Sequence, residues 1–446
     1  MNTKPKPSAA PVRSGPEKCL LWYAALTPVW WATGLLTPIQ IAGIIWLYVT
    51  RPRSDRGVTA VAWLWFAVGI SQDLAEFVNW AGSGKPMTEL LHRFASLSSN
   101  GWVLLGMCLS AGAAYGLTSA AVVRAICIQG AWMLVLSAAS YLAYVGTGIS
   151  DLEIPSLLSA VIPAAKSNDL HFTMRVYLSD EFLGTSVFRL ILFFPWSTGL
   201  ALAGLLTAAL APREPSWTWR LLGLAGGLTG LVLAYSRAVF VGSAVALSLM
   251  AFLRCSVRTR LLAVMGAAAV ANGALLAGFD PSMLFGDAYR GFTDARPGSS
   301  EGRDLLYAAA WNGFLQAPWI GHGWFGPEYA RWMPIAIGSH STFFGVLYKG
   351  GVITFAVLCT AFAVTLAWYV ARLREGPSDA ALALSVLIVY GMVAYGENLD
   401  TLVPSLALTF LWLGGAMAPA RPSSLELPSL PPASIGKLPE AWTVRP

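Results

Sequence analysis

Residues 341–371 read STFFGVLYKGGVITFAVLCTAFAVTLAWYVA, with a single charge, Lys349. A run this long and apolar has no place on a soluble surface, and a membrane crossing takes about 20 such residues. About twelve comparable runs occupy the chain, at 20–35, 36–50, 58–81, 94–117, 119–147, 187–211, 217–234, 236–254, 260–279, 341–371, 379–396 and 400–419. The first two form one apolar stretch too long for one crossing, and LLTP at 35–38 offers a hinge, so a short hairpin is expected there. Composition agrees: 12% of the 446 residues are charged, against about 25% in soluble domains. The sequence therefore predicts an all-α integral membrane protein of about twelve transmembrane helices.

An even number of spans puts both termini on one side. The densest basic clusters, RPRSDR (51–56), Arg124, APREPSWTWR (211–220), RCSVRTR (254–260) and ARLR (371–374), then fall together, which marks that side as cytoplasmic. The formal charge of +6 reads as these loops, not as a nucleic-acid surface. Residues 1–19 form a basic cytoplasmic segment behind which the first span is retained, 20–419 the membrane domain, and 420–446 a proline-rich, disordered cytoplasmic tail. The 19 tryptophans suit interfacial belts. The five cysteines show no CxxC or Cys/His pairing, so neither a disulfide framework nor a zinc site is expected.

Two long segments face outward, 148–186 and 280–340, and all four histidines (His92, His171, His322, His340) lie on that side. In SSEGRDLLYAAAWNGFLQAPWIGHGWFG (299–326) the spacing of Leu306, Ala310, Gly313 and Phe314 predicts a helix capped by Ser299 or Ser300 and stopped by APWIGHG. Arg303 would lie in its first turn, where free N–H groups already favour an anion; the alternative is a surface pair with Glu301 or Asp304. Arg237 sits in a turn of almost no length between two spans, facing either a polar cavity or the interface by snorkelling. Arg189, in TSVFRLILFFPW, opens a span from the same side and has the same two readings. His340 begins the span at 341–371. Lys349, nine residues further, and Tyr348 give that helix a cationic face, and Asp73 and Glu76, one turn apart, are candidate partners for the lysine.

The segments AYSRAVFVGSAVAL, EGRDLLYAAAWNGFLQAPWIGHGW and GSHSTFFGVLYKGGVI, in that order over about 225–371, resemble the core of the O-antigen ligase and polymerase superfamily. The pattern is an arginine at a span boundary, an arginine opening a loop helix that ends in P-x-x-G-x-G, and a histidine at the start of the next span. The resemblance implies a GT-C-like membrane glycosyltransferase of the bacterial inner membrane with a large, partly helical periplasmic loop. Such an enzyme moves a glycan en bloc from undecaprenyl pyrophosphate to an acceptor sugar hydroxyl at the periplasmic face, without metal or other cofactor. On this basis Arg237, Arg303 and, less directly, Arg189 hold the pyrophosphate, His340 is the general base, and Lys349 and Tyr348 are secondary candidates. The acceptor is another lipid-linked repeat, slightly favoured, or lipid A–core, with a chain-length regulator as a possible partner. No D-x-D occurs, and the one D-x-E, Asp151 and Glu153, is the remaining place for a metal. A different class, a twelve-span transporter, would rely on Asp73, Glu76 and Lys349.

Overall fold

The structure, a computed structural model, describes residues 14–52, 56–91, 93, 101–115, 119–161, 172–182, 185–278, 281–295, 297–374 and 378–418. His92, His171, most of the basic N-terminal segment and the expected tail lie outside the described residues. The helices, in order, are α1 (Gly15–Ala25), α2 (Thr27–Thr33), α3 (Leu36–Thr50), α4 (Arg56–Ala81), α5 (Trp102–Tyr115), α6 (Ser119–Thr147), α7 (Leu157–Val161), α8 (Ser197–Leu210), α9 (Trp217–Leu233), α10 (Arg237–Arg254), α11 (Val257–Leu276), α12 (Pro281–Asp294), α13 (Pro297–Gln316), α14 (Thr342–Arg372), α15 (Ser378–Gly396), α16 (Leu399–Leu402) and α17 (Ala407–Met417). The strands are β1 (Leu152–Pro155), β2 (Thr173–Phe182), β3 (Thr185–Leu190), β4 (Glu328–Ala330) and β5 (Met333–Ala336).

Helices follow the apolar runs because a backbone in lipid must satisfy its own hydrogen bonds. Six are long and apolar enough to cross a bilayer: Val58–Ala81, Ala120–Thr147, Arg237–Arg254, Val257–Leu276, Thr342–Arg372 and Asp379–Gly396. This is a multi-pass membrane protein. Shorter apolar helices, Leu36–Thr50, Trp102–Tyr115 and Ala407–Met417, take three further expected spans. The run at 20–35 is split into α1 and α2 by a turn at Leu26 and ends on left-handed Gly34, φ 80°.

Helix α9 packs on α6 and α8, α17 on α5, α4 on α5 and α14, and α10 and α14 on α15. Where α6, α8 and α9 cross, a Cβ on Gly226 would strike the Gly130 carbonyl, and one on Gly227 would lie 2.6 Å from Ala208 N. Small residues thus replace the hydrophobic drive that helix association lacks in lipid. Helix α11 stands apart, with no buried residue.

One expectation is corrected here. The span expected over 187–211 begins as a strand: β3 carries Arg189, and α8 starts only at Ser197. β-Branched and aromatic residues in TSVFRL alternate between exposed and buried faces and pair antiparallel with β2, Arg189 opposite Leu178. The segments 148–186 and 280–340 hold more than the helix predicted in the second of them. The first holds the antiparallel sheet β1-β2-β3, the second α12, α13 and the hairpin β4-β5.

Helix α14 is broken at Gly351 (φ 62°, ψ −167°), and the turn after α13 is inserted into the break. His322 N donates to Tyr348 O (2.9 Å) and Gly323 N to Lys349 O (2.7 Å); from the far side Val352 N donates to Pro318 O (2.8 Å) and Ile353 N to Trp319 O (3.4 Å). The turn returns to α14 the hydrogen bonds that the break removes. The approach needs glycine on both sides: a Cβ on Gly321 would sit 2.5 Å from Lys349 C, and one on Gly351 would meet the Trp319 carbonyl. Both residues also have left-handed φ, 72° and 62°. Asn79 of α4 donates to Gly321 O (3.1 Å), closing the turn from a third side. Gly351→Ala and Gly321→Ala should each destabilise the protein by about 2 kcal/mol or more, read as a fall in melting temperature in detergent. Gly266→Ala, with open space around its Cβ, should leave it unchanged.

Candidate functional site

The site lies where the ends of α10, α13, α14 and α15 meet. Helix α13 begins at Pro297, a residue suited to the first helical position, and not at Ser299 or Ser300 as the sequence implied. Arg303 is therefore in the second turn, past the free N–H groups, and the helix-terminus argument for an anion does not apply to it. Ser300 is not a cap either. Its hydroxyl donates to Thr293 O (3.1 Å) and accepts from Arg237 Nη2 (3.2 Å), while Arg237 Nη1 donates to Thr293 O (3.3 Å). Arg237 is 8% exposed, so it faces the protein interior and does not snorkel.

Arg303 bonds neither Glu301 nor Asp304 in an ion pair. Its Nη2 meets Glu397 Oε1 at 2.9 Å, and its Nε is buried without a hydrogen-bond partner among the described residues. Glu397 Oε1 also accepts from Thr198 Oγ1 (2.9 Å), and Thr198 Oγ1 accepts from Ser236 Oγ (3.4 Å), the residue before Arg237. The circuit closes: Arg237 to Ser300, along α13 to Arg303, then Glu397, Thr198 and Ser236. Thr342, at the start of α14, donates to Glu397 O from both N (2.9 Å) and Oγ1 (2.7 Å), so the backbone carrying the carboxylate is fixed.

His340 faces this circuit. Burial pulls its imidazole below the usual histidine range; the Glu397 carboxylate opposes the shift, and Arg303 adds to it. Ser339 Oγ donates to Ala336 O (2.6 Å) and lies 2.9 Å from His340 Nδ1. A hydroxyl has one proton to give, so Ser339 accepts from Nδ1–H, and we assign the basic lone pair to Nε2. Tyr307, one turn beyond Arg303 on α13, donates to Tyr395 O (3.0 Å), lies 3.4 Å from His340 O and stacks on Phe344 at 4.8 Å. Burial keeps the Tyr307 phenol well above its ordinary range, so it is a permanent donor.

Three non-glycine residues among those described have left-handed backbone: Leu192 (φ 54°), Tyr235 (φ 45°) and His340 (φ 63°). One is His340, one precedes Ser236 and Arg237, and one follows the strand of Arg189. Such conformations cost about 1–2 kcal/mol each and gather at sites whose surroundings over-determine them.

The other candidates sit elsewhere. Arg189 donates from Nε to Ala234 O (2.9 Å) and from Nη1 to Asp180 (2.8 Å), bracing the turn that presents Arg237. Lys349, fully buried, pairs with Asp400 (3.0 Å) and lies 4.2 Å from the Phe325 ring centre; neither Asp73 nor Glu76 is its partner in this pair. Glu76 pairs with Arg93 (2.8 Å). Tyr348 stacks on His322 at 4.6 Å and is walled by Gly326 and Gly338, a packing platform for the outer loop. Glu153 pairs with Arg175 (2.9 Å), and Asp151 accepts from Ser179 N (3.0 Å), so both carboxylates of the D-x-E are committed to the sheet.

Sequence reading missed Glu397. The signal was GENLD (396–400), two acids set between apolar runs, with nothing to say which basic groups they meet. Glu397→Ala should lower stability by about 2 kcal/mol by leaving Arg303 and Thr198 unpaired. Glu397→Gln, which keeps an acceptor, should lose less, and adding Arg303→Met to Glu397→Ala should recover part of the loss; melting temperatures in detergent give the comparison.

Residues 222–359 match a family model described as O-antigen ligase. The match runs from α9 into α14 and contains Arg237, Arg303, His340, Tyr348 and Lys349, whereas Arg189 and Glu397 lie outside it. Comparison with curated proteins finds no match to the chain. Residues 222–359 are thus similar to the O-antigen ligase family, in the same segment whose motifs resemble the O-antigen ligase and polymerase superfamily.

Proposed function

We propose that this protein transfers a glycan en bloc from undecaprenyl pyrophosphate to an acceptor sugar hydroxyl at the outer face of the bacterial inner membrane, with twelve spans and cytoplasmic termini. The observation that carries the reading is the circuit joining Arg237, Arg303 and Glu397, with His340 facing it. Guanidinium groups stay charged at any working pH and bind phosphate oxygens bidentately. Arg237 and Arg303 hold the pyrophosphate, and the buried Arg303 Nε is a donor that a phosphate oxygen satisfies. Arg189 acts through the turn that it braces.

His340 Nε2 takes the proton of the acceptor hydroxyl as its oxygen attacks the anomeric carbon. The new carbon–oxygen bond forms on the face opposite the leaving group. The old bond to phosphate oxygen breaks, and its electron pair leaves with the pyrophosphate, whose added charge the arginines stabilise. The configuration inverts. A pyrophosphate leaves without protonation, so the chain's residues supply positioning, charge and one base, and no metal enters the scheme.

The acceptor is another lipid-linked repeat or lipid A–core. A gel of surface polysaccharide from a deletion strain separates them: single capped repeats mark a polymerase, polymer stranded on the carrier marks a ligase. The paired states of Glu76 and Lys349 speak for structural roles and not for a coupling-ion site.

His340→Ala should lower transfer by about 10²–10⁴-fold, and Arg303→Ala or Arg237→Ala by about 10²–10³-fold, with membrane abundance retained; wild-type transfer by His340→Ala would falsify the assignment. A histidine with its pKa below 6.5 is neutral, and thus a competent base, at pH 7. The acid limb of the rate should therefore lie below the ordinary histidine range, and Glu397→Gln, by removing the carboxylate that favours imidazolium, should move that limb further to acid. A limb centred above pH 7 would exclude His340 as the base.

A further inference from the structure

The hairpin β4-β5 leads directly into His340. Its register pairs Glu328 with Ala336 and Ala330 with Met333, and bonds from Gly326 N to Ile337 O (2.9 Å) and Ile337 N to Pro327 O (3.1 Å) extend the ladder. The hairpin is held at two levels. At the base Gly326 and Gly338 lie against the Tyr348 ring, and next to the tip Met333, buried, lies against Gly302 beside Arg303. The tip, Arg331 and Trp332, is exposed, Trp332 at 71%. Tyr329 meets the indole edge-to-face at 6.1 Å and orients it.

An indole held on a rigid arm next to a transfer site presents a flat apolar face to whatever enters from outside. A sugar ring has a matching face of C–H bonds and an edge of hydroxyls, and the exposed Arg331, next to Trp332 in the chain, offers a charged group for that edge. We propose that the β4-β5 tip is a subsite for the acceptor glycan, with Trp332 stacking on a sugar ring behind the one whose hydroxyl reaches His340. The subsite rests on the transfer reading above and adds to it the residue that recognises the acceptor chain. Pre-orientation by Tyr329 lowers the rotamer entropy lost on binding.

The test uses the full chain in membranes, saturating lipid-linked glycan extracted from a deletion strain as donor, and as acceptors the lipid-free polysaccharide and the core oligosaccharide of that strain, each released by mild acid. Trp332→Ala should raise the acceptor KM on the order of tenfold, for whichever of the two is used, with kcat and donor KM within about twofold; Trp332→Phe should restore most of the affinity. An unchanged acceptor KM overturns the subsite. So does loss of Trp332→Ala from the membrane fraction, or a fall in kcat alone, because either makes Trp332 an interfacial anchor or a structural residue. His340→Ala in the same assay separates the two readings: if it retains activity, the transfer reading fails irrespective of Trp332.

Discussion

The insertion of the 318–323 turn into the broken helix α14 is the constraint on which the candidate site depends. A helix break in a low-dielectric setting leaves carbonyls and amides that cost several kcal/mol each if unsatisfied. Here the turn supplies two donors, to Tyr348 O and Lys349 O, and two acceptors, Pro318 O and Trp319 O. Helix α13 enters that turn, and β4-β5 and His340 leave it. The pairing therefore sets where Arg303 lies relative to His340, and the two glycines that permit it, Gly321 and Gly351, belong to the site in effect although neither touches it.

Charge placement follows a second rule. Buried ions inside the bundle occur in pairs: Lys349 with Asp400, Glu76 with Arg93, and Arg124 with Glu214. Each pair meets the cost of removing charge from water locally, and losing one partner would be expensive. The Arg303–Glu397 pair, with side chains 24% and 10% accessible, is distinguished by His340, whose imidazole feels both charges. Strained backbone at His340 and Tyr235 beside it fits a site held by its surroundings and not by its own preferences.

Much was legible in the chain because apolar length, helical spacing and turn chemistry are local. The helices at 58–81, 119–147, 236–254, 341–371 and 379–396 follow their runs closely. Failures occurred where a local pattern was overridden. The run at 187–211 was apolar enough for a helix, but its β-branched first part found a strand partner in β2 thirty-odd residues beyond the preceding span. Arg303 was expected in a first turn because serines resemble caps, yet Pro297 starts the helix earlier and frees Ser300 for Arg237.

By itself the sequence determined that the chain is membrane-embedded and that an arginine, a second arginine and a histidine recur in the order found in the O-antigen ligase and polymerase superfamily, since hydropathy and motif order are properties of neighbours along the chain. Only the tertiary structure decided which acid meets which base. Glu397 lies 94 residues from Arg303, and Asp400 lies 51 from Lys349. Pairings at such separations depend on how α13, α14 and α15 pack, and no spacing rule reaches across three helices.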